Sequence, residues 1–188
     1  MLVKNRQLIT FEEFLKLDSS DENLYEFIDG TIYNQASPST THQRTSGNLY
    51  YELRKYFENK PCEVFSAPFD IILKDETEQY KSKVIPDLSV ICDKDGLNDK
   101  NYIGIPTLII EILSPSNQAH DLVTKLNLYQ RFGIKEYWIV NPKLNSIQIY
   151  TLNEEGLYEQ FGIYKGNEIL ESKVFDGLKI ELNIIFKA

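Results

Sequence analysis

The sequence predicts an α/β fold in which a central mixed β-sheet is flanked by a few α-helices. Residues 107–113 form a nearly continuous apolar run, which is typical of a strand covered on both faces. A helical pattern at 118–132 stops at Gly133, and a second apolar run follows at 136–141. Strand, helix and strand within about 35 residues indicate a βαβ unit whose two strands are parallel neighbours. Alternating runs from residue 146 onward predict antiparallel hairpins added to one side of the sheet.

The elements before this unit carry clear local signals. Thr10 and Glu13 have the spacing of a capping box, which predicts a first helix at 10–17. An Asp-Gly dipeptide at the centre of 24–34 predicts a β-hairpin, because these residues readily adopt the positive φ angles of a two-residue turn. An apolar stripe predicts a second helix within 39–60.

Two further strands are predicted at 64–73 and 85–92, followed by a polar loop at 93–102. We expect the whole chain, 1–188, to form a single domain, because a chain of this length can bury one core without extra staples. Within that domain, residues 151–188 are predicted to be a C-terminal β extension.

Composition limits the classes of function. The 188 residues carry a net charge of −8, which argues against a nucleic-acid binder that relies on bulk positive charge. No stretch reaches the roughly 20 apolar residues that a membrane helix needs, and the first ten residues lack the apolar run of a signal peptide. These features predict a soluble, cytoplasmic protein. Cys62 and Cys92 lie 30 residues apart and match no metal-binding pattern, so they are predicted to be unpaired thiols in a reducing compartment.

Three acidic residues interrupt apolar strands. Glu111 is the only charged residue between 101 and 120, Asp87 is the only charged residue of 84–91 (VIPDLSVI), and Glu26 interrupts the first strand of the hairpin. Because an unpaired buried carboxylate costs several kcal/mol, such positions need a cation or a network of hydrogen-bond donors. Each acid taken singly could lie at a strand end in solvent or pair with an arginine. Three on successive strands favour carboxylates that converge on one point.

A lysine is predicted near the same point. The helix at 118–132 begins where the Glu111 strand ends, and Lys125 lies at the edge of its apolar stripe. The simpler alternative is a surface ion pair between Asp121 and Lys125, one helical turn apart. Taken alone, that alternative is the better interpretation, and the neighbouring acids make the functional one competitive.

Carboxylates on rigid strands beside an ammonium suggest a particular chemistry. Such oxygen ligands suit Mg²⁺ or Mn²⁺, and these ions bind substrate phosphate oxygens. The ion lowers the pKa of bound water, while a lysine positions the nucleophile or stabilises developing negative charge. The residues therefore predict metal-assisted hydrolysis of phosphodiester bonds.

Six segments resemble the Uma-two-type restriction endonuclease family of the PD-(D/E)XK nuclease superfamily. The resemblance covers about residues 12–150, and the segments occur in the family's order and spacing: YEFIDGTIY (25–33), SPSTTH (37–42), PDLSVI (86–91), IIEILSPSN (109–117), DLVTKLNLY (121–129) and GIKEYWIVNP (133–142). It implies a restriction-endonuclease-like core, a divalent metal cofactor and, as in many members, a homodimer.

The resemblance also implies roles for individual residues. Asp87 takes the place of the first acid of the motif and Glu111 that of the second. Leu113 occupies the position where the motif has its lysine, and the family supplies the lysine from the following helix, which here is Lys125. Glu26 matches an acid of the N-terminal hairpin and is implied to be an auxiliary metal or water ligand.

The resemblance extends the metal site and suggests contacts with substrate. The backbone carbonyl of Ile112 is implied to complete the metal shell. His42 is a weaker candidate for contact with substrate phosphate or for proton transfer, and Ser114 and Ser116 are weaker candidates for contact with substrate. A helix-start histidine and serines of a turn often have purely structural uses.

These expectations give three hypotheses. The first is a Mg²⁺- or Mn²⁺-dependent endonuclease acting on DNA. The second is a catalytically weak or inactive nucleic-acid-binding or accessory protein on the same fold, and the third is a purely structural salt-bridge network. Residues 114–152 contain four basic and two acidic residues, so a nucleic acid would bind to one face, weakly and with strong dependence on salt.

Overall fold

The fold is described from a computed structural model. It describes residues 8–18, 23–35, 37–74, 81–114 and 118–187, with the backbone alone for 118–122. Within these ranges thirteen strands and four helices follow one another: α1 (Phe11–Asp18), β1 (Tyr25–Ile28), β2 (Thr31–Asn34), α2 (Thr40–Phe57), β3 (Glu63–Ser66), β4 (Asp70–Lys74), β5 (Lys81–Val84), β6 (Leu88–Ile91), β7 (Asn101–Ile103), β8 (Leu108–Ile112), α3 (Gln118–Arg131), β9 (Glu136–Asn141), β10 (Ser146–Leu152), β11 (Tyr158–Lys165), β12 (Ile169–Glu171), β13 (Lys179–Glu181) and α4 (Leu182–Ile185).

The mixed sheet predicted from the sequence is divided in two. The central sheet has six strands in the order β11-β10-β9-β8-β6-β3, and the N-terminal sheet has five in the order β2-β1-β5-β4-β7. In the central sheet β8 and β9 are parallel, as the βαβ pattern predicts, and their other neighbours are antiparallel. The C-terminal strands β12 and β13 form a separate antiparallel pair.

Two stretches of chain pass from one sheet to the other. The strand predicted at 64–73 is in fact two strands, β3 in the central sheet and β4 in the N-terminal sheet. Pro68 lies between them and has no N–H to continue a ladder of hydrogen bonds. In the same way β5, which was not predicted, continues through residues 85–87 into β6. The predicted strand 85–92 is therefore shorter, and Asp87 lies at the bend between the sheets.

The local sequence signals for the start of α1, the hairpin turn and the end of α3 are confirmed. The backbone N–H of Thr10 donates to Glu13 Oε2 (2.8 Å), and the N–H of Glu13 donates to Thr10 Oγ1 (3.1 Å), which completes the capping box. Asp29 and Gly30 both have positive φ angles, 49° and 79°, as a tight hairpin turn requires. Gly133, with φ of 78°, follows α3 where the sequence predicts its end.

The central sheet is covered on both faces. Side chains from α2 and the C-terminal segment pack against one face, and α3 and the N-terminal sheet contribute to the cluster on the other. Along β8, Leu108, Ile110 and Ile112 belong to the α2 side, whereas Ile109 belongs to the α3 side. Since side chains alternate along a strand, Glu111 lies on the α3 side. No helix in the described ranges is long and apolar enough to span a membrane.

Cys62 and Cys92 form a disulfide bond, which contradicts the prediction of two unpaired thiols. Strands β3 and β6 pair with Glu63 opposite Ile91, so the next pair in this register brings the two cysteines together, with Cα atoms 4.0 Å apart. A separation of 30 residues gives no sign of this cross-strand pairing. The argument for a reducing compartment therefore fails.

A buried carboxylate ties the C-terminal segment to the central sheet. Glu136 on β9 is fully buried and accepts a hydrogen bond from the indole N–H of Trp138. Its other oxygen accepts from the hydroxyl of Ser172 (2.9 Å) and from the backbone N–H groups of Lys173 (3.1 Å) and Val174 (2.8 Å). Burial raises the pKa of this carboxyl, although these donors favour its charged form.

Glu136→Ala should destabilise the fold strongly. It would leave four donors without their acceptor, and a buried unsatisfied group costs about 1–3 kcal/mol, so we expect the free energy of unfolding to fall by about 3 kcal/mol or more. Urea denaturation followed by circular dichroism measures this. Glu154→Ala, at an exposed turn position, is the matched control and should change stability by less than about 0.5 kcal/mol. Equal losses in the two variants would contradict the structural role of Glu136.

Candidate active site

One buried ammonium group joins the two sheets. Lys125 Nζ lies 3.0 Å from Glu26 Oε1 and 2.9 Å from Glu111 Oε1. Side-chain exposure is only 7% for Lys125, 7% for Glu26 and 11% for Glu111, so all three charges are largely withdrawn from water. Burial strengthens their mutual attraction and also raises the cost of losing any one of them.

The elements around this contact fix each side chain. Glu26 lies on β1 in the N-terminal sheet, and its Oε1 also accepts a hydrogen bond from the backbone N–H of Ile85 (2.9 Å). Glu111 lies on β8 in the central sheet, where its Oε1 also accepts a hydrogen bond from the hydroxyl of Tyr129 (2.6 Å). Lys125 and Tyr129 are one turn apart on α3, so the same face of the helix presents both donors to Glu111.

Asp87 lies beside Glu111 at the bend between the sheets. Leu88 pairs with Ile110, and extending this antiparallel register by one residue places Asp87 opposite Glu111. The charge of Asp87 contributes to raising the pKa of Glu111, as expected for two neighbouring carboxylates. Asp87 Oδ2 accepts the backbone N–H of Ile112 (2.7 Å), and Oδ1 lies 3.2 Å from His42 Nε2.

His42 reaches Asp87 from the first turn of α2. Burial lowers the pKa of His42, but the hydrogen bond and the charge of Asp87 outweigh this effect and raise it overall. The carbonyl of Ile112 is also near enough to raise it. The other ring nitrogen, Nδ1, is buried and has no hydrogen-bond partner among the described residues.

Burial dominates the protonation of Glu111. It raises the pKa of this carboxyl from 4.5 to about 8, while the charge of Lys125 and the hydroxyl of Tyr129 act in the opposite direction and the charges of Asp87 and Glu26 add to the rise. In the absence of another cation, the carboxyl therefore tends to hold a proton near neutral pH. A cation bound at Glu111 would compete with that proton.

The donor set fits a hard divalent cation in its chemistry. In the described part of the chain, no three His, Cys, Asp or Glu side chains are grouped so that they could hold a metal ion by themselves. Mg²⁺ commonly uses only one or two carboxylates and takes its remaining ligands from water and substrate phosphate. Asp87, Glu111 and the backbone carbonyl of Ile112 are the groups here that match this requirement.

The structure brings together the main residues that the sequence singles out, and their catalytic roles remain predictions. Glu26, Glu111 and Lys125 are in direct contact, and Asp87 lies next to Glu111. Leu113, at the motif position of the lysine, packs instead among apolar side chains on the α3 side.

The remaining candidates are less closely involved. Ser114 follows β8 and is half-buried, while Ser116 and the side chain of Asp121 lie outside what the structure describes. Tyr129 was missed as a site residue, because the sequence placed it only on the apolar face of the helix. Its spacing of four residues from Lys125 was the available signal.

Comparisons with known proteins agree with this architecture. The model of the Uma2 family, described as a putative restriction endonuclease, matches residues 11–183. An uncharacterized protein of Synechocystis, slr1290, is 28% identical over 177 residues, which cover 94% of this chain and 90% of the relative. A crystal structure from Anabaena variabilis, described as a putative nuclease belonging to DUF820, superposes with a TM-score of 0.76 at 19% identity, covering 95% of this chain and 97% of that one.

Glu111→Gln should remove a pH dependence from the stability of the metal-free protein. Because the folded-state pKa of Glu111 is raised, its favourable contribution is complete below pH 4.5 and is lost as pH rises through about 8. The free energy of unfolding of the unmodified protein should therefore fall across this interval by at most about 1.4 kcal/mol per pH unit. Glutamine does not titrate, so this fall in stability with rising pH should be absent from the variant.

Denaturant titrations in EDTA between pH 5 and pH 8 measure this difference. Glu154→Gln, an exposed substitution of the same kind, controls for general effects of charge. Parallel curves for the unmodified protein and Glu111→Gln would show that Glu111 does not titrate abnormally.

Proposed function

The chain belongs to the Uma2 family of putative restriction endonucleases, and from this membership we propose that it is a metal-dependent endonuclease that hydrolyses phosphodiester bonds of DNA. Membership supports a restriction-endonuclease-like nuclease at a coarse level. The metal, the DNA substrate and the catalytic residues are our proposal. They are argued from the charges and contacts around Lys125.

The observation that carries the proposal is an excess of negative charge. Glu26, Asp87 and Glu111 lie near one ammonium, that of Lys125, and one imidazole, that of His42, so the cluster has a formal charge of −2 when the three carboxyls are ionised and His42 is neutral. A network that served stability alone would be expected to balance its charges, because unpaired buried carboxylates are costly. One divalent cation bound in place of the proton on Glu111 would neutralise this formal charge.

We assign the metal to Asp87 and Glu111, with the backbone carbonyl of Ile112 as a further ligand and Glu26 as an auxiliary acid. Bound Mg²⁺ or Mn²⁺ would supply an acidified water and neutralise charge that develops on the phosphate. Asp87 suits this role because the N–H of Ile112 holds one of its oxygens in place. Glu111 suits it because β8 is a central strand buried on both faces.

We assign to Lys125 the stabilisation of negative charge that develops on the substrate. Its ammonium is held by two carboxylates on two sheets, so its position is set before substrate binds. A preorganised cation stabilises charge that develops in a transition state, because it need not reorganise during the reaction. Glu26 keeps this ammonium in place, since its own oxygen is held by the N–H of Ile85.

His42 is less well placed for contact with phosphate. Its Nε2 lies 3.2 Å from Asp87 Oδ1, and its Nδ1 is buried, so neither ring nitrogen is freely exposed to a phosphate. The half-buried Ser114 remains a candidate for contact with phosphate near the end of β8.

In Mg²⁺ or Mn²⁺, the unmodified protein should cleave plasmid and oligonucleotide DNA. Glu111→Gln and Lys125→Met should each lower the rate by at least about 100-fold, because one removes a metal ligand and the other the positioned cation. Gel assays with DNA, and with RNA of the same sequence, measure the rates and the substrate class.

Lys135→Met is the matched control for the lysine. It removes an exposed charge from the same βαβ unit and should keep nearly full activity. Circular dichroism establishes that each variant is folded. An unmodified protein that neither cleaves DNA nor binds Mn²⁺ in calorimetry would overturn the proposal, whereas DNA binding without cleavage would favour an accessory nucleic-acid-binding protein.

DNA affinity should increase when a divalent cation is present. The total charge of −8 opposes binding, and neutralising the acidic cluster removes part of that repulsion. Fluorescence anisotropy with a labelled duplex, in Ca²⁺ to limit cleavage or in EDTA, compares the two conditions over a series of salt concentrations. Affinity that is independent of the divalent cation would contradict this expectation.

A homodimer remains a prediction from the family resemblance. Sedimentation or light scattering of the purified protein would determine the oligomeric state directly.

A further inference from the structure

Tyr129 makes a contact that core packing does not require. Its hydroxyl donates to Glu111 Oε1 over 2.6 Å, and Lys125 Nζ contacts the same oxygen at 2.9 Å. Two donors from one face of α3 therefore engage a single oxygen of the carboxylate. This arrangement fixes the rotation of the carboxylate as well as its position.

We propose that Tyr129 is a positioning residue that, together with Lys125, holds Glu111 Oε1 and so reserves Oε2 for the metal ion. The proposal rests on the metal-dependent function argued above and concerns how Glu111 is prepared for it. Groups that hydrogen-bond to a metal ligand typically orient it and increase its affinity for the ion.

The two oxygens of Glu111 have different surroundings. Oε1 accepts both donors from α3, whereas no hydrogen bond or ion pair from a described residue reaches Oε2. Among the described residues, Oε2 is not one of the fully buried polar atoms that lack a hydrogen-bond partner, so part of its surface is open to solvent. The Glu111 side chain as a whole is 11% exposed. The unengaged oxygen is therefore the one that solvent, and a cation, can reach.

The phenol ring is held rigidly enough to act in this way. Tyr129 is fully buried and packs edge-on against Tyr137, with ring centroids 5.0 Å apart. Burial raises the pKa of the Tyr129 hydroxyl well above 10, so this group remains a proton donor over the whole working range. A fixed ring and a permanent donor define one orientation for the carboxylate.

Tyr129→Phe removes only the hydroxyl and keeps the ring. We expect the dissociation constant for Mn²⁺ to rise by about 10- to 100-fold in calorimetry, which is the usual effect of losing a hydrogen bond to a metal ligand. In cleavage assays the metal concentration for half-maximal rate should rise by the same factor. Saturating metal should restore much of kcat, and KM for DNA should be unchanged.

Tyr158→Phe is the matched control. Its hydroxyl donates to the backbone carbonyl of Ile134 (2.9 Å) and not to Glu111, and its ring packs against the same apolar cluster. It removes a comparable hydrogen bond, so it reports the effect of lost stability alone. Thermal denaturation of both variants establishes how much stability each has lost.

The outcomes separate the two proposals. A weakened Mn²⁺ affinity in Tyr129→Phe, with Tyr158→Phe unchanged, supports the positioning role. An unmodified protein that binds Mn²⁺ and cleaves DNA, together with Tyr129→Phe of equal metal affinity, overturns the positioning role and leaves the proposed function intact. Absence of Mn²⁺ binding in the unmodified protein overturns both.

Discussion

The arrangement of the site depends on one buried ammonium. Lys125 contacts Glu26 on the N-terminal sheet and Glu111 on the central sheet, so a single side chain of α3 connects three parts of the fold. The cost of removing these charges from water is offset only when each has a partner at short distance. That requirement fixes the helix against both sheets. With its three carboxyls ionised and His42 neutral, the cluster carries more negative than positive charge.

Lys125 reaches Glu111 from a helix and not from the strand that carries Glu111. Two residues after Glu111, a strand residue would point to the same face of the sheet, and Leu113 fills that place with apolar packing. The chain then leaves β8, forms α3 and returns to the same face of the sheet. The crossover therefore brings the ammonium of Lys125 to Glu111 from the helix that covers this face of the sheet, and not from a residue of the same strand.

The bend between the sheets contributes the other carboxylate. The backbone carbonyl of Asp87 accepts the N–H of Ala67 (3.0 Å), so the two chain segments that pass between the sheets are joined at this point. The side chain of Asp87 is then held by the N–H of Ile112 and by His42. Asp87 is therefore held on a bend beside a central strand, and its position does not depend on a flexible loop.

The sequence by itself determined the elements whose signals are local: the capping box at Thr10, the hairpin turn at Gly30 and the βαβ unit around α3. It also indicated that Glu26, Glu111 and Lys125 converge, because a charge inside an apolar strand needs a partner wherever that partner comes from. Tertiary structure alone decided the features that depend on cross-strand register. It divided the sheet at Pro68 and joined Cys62 to Cys92. It also brought Tyr129 to Glu111 and His42 to Asp87. Periodicity assigns a side chain to a face, whereas the packing of distant elements selects the atom that it meets.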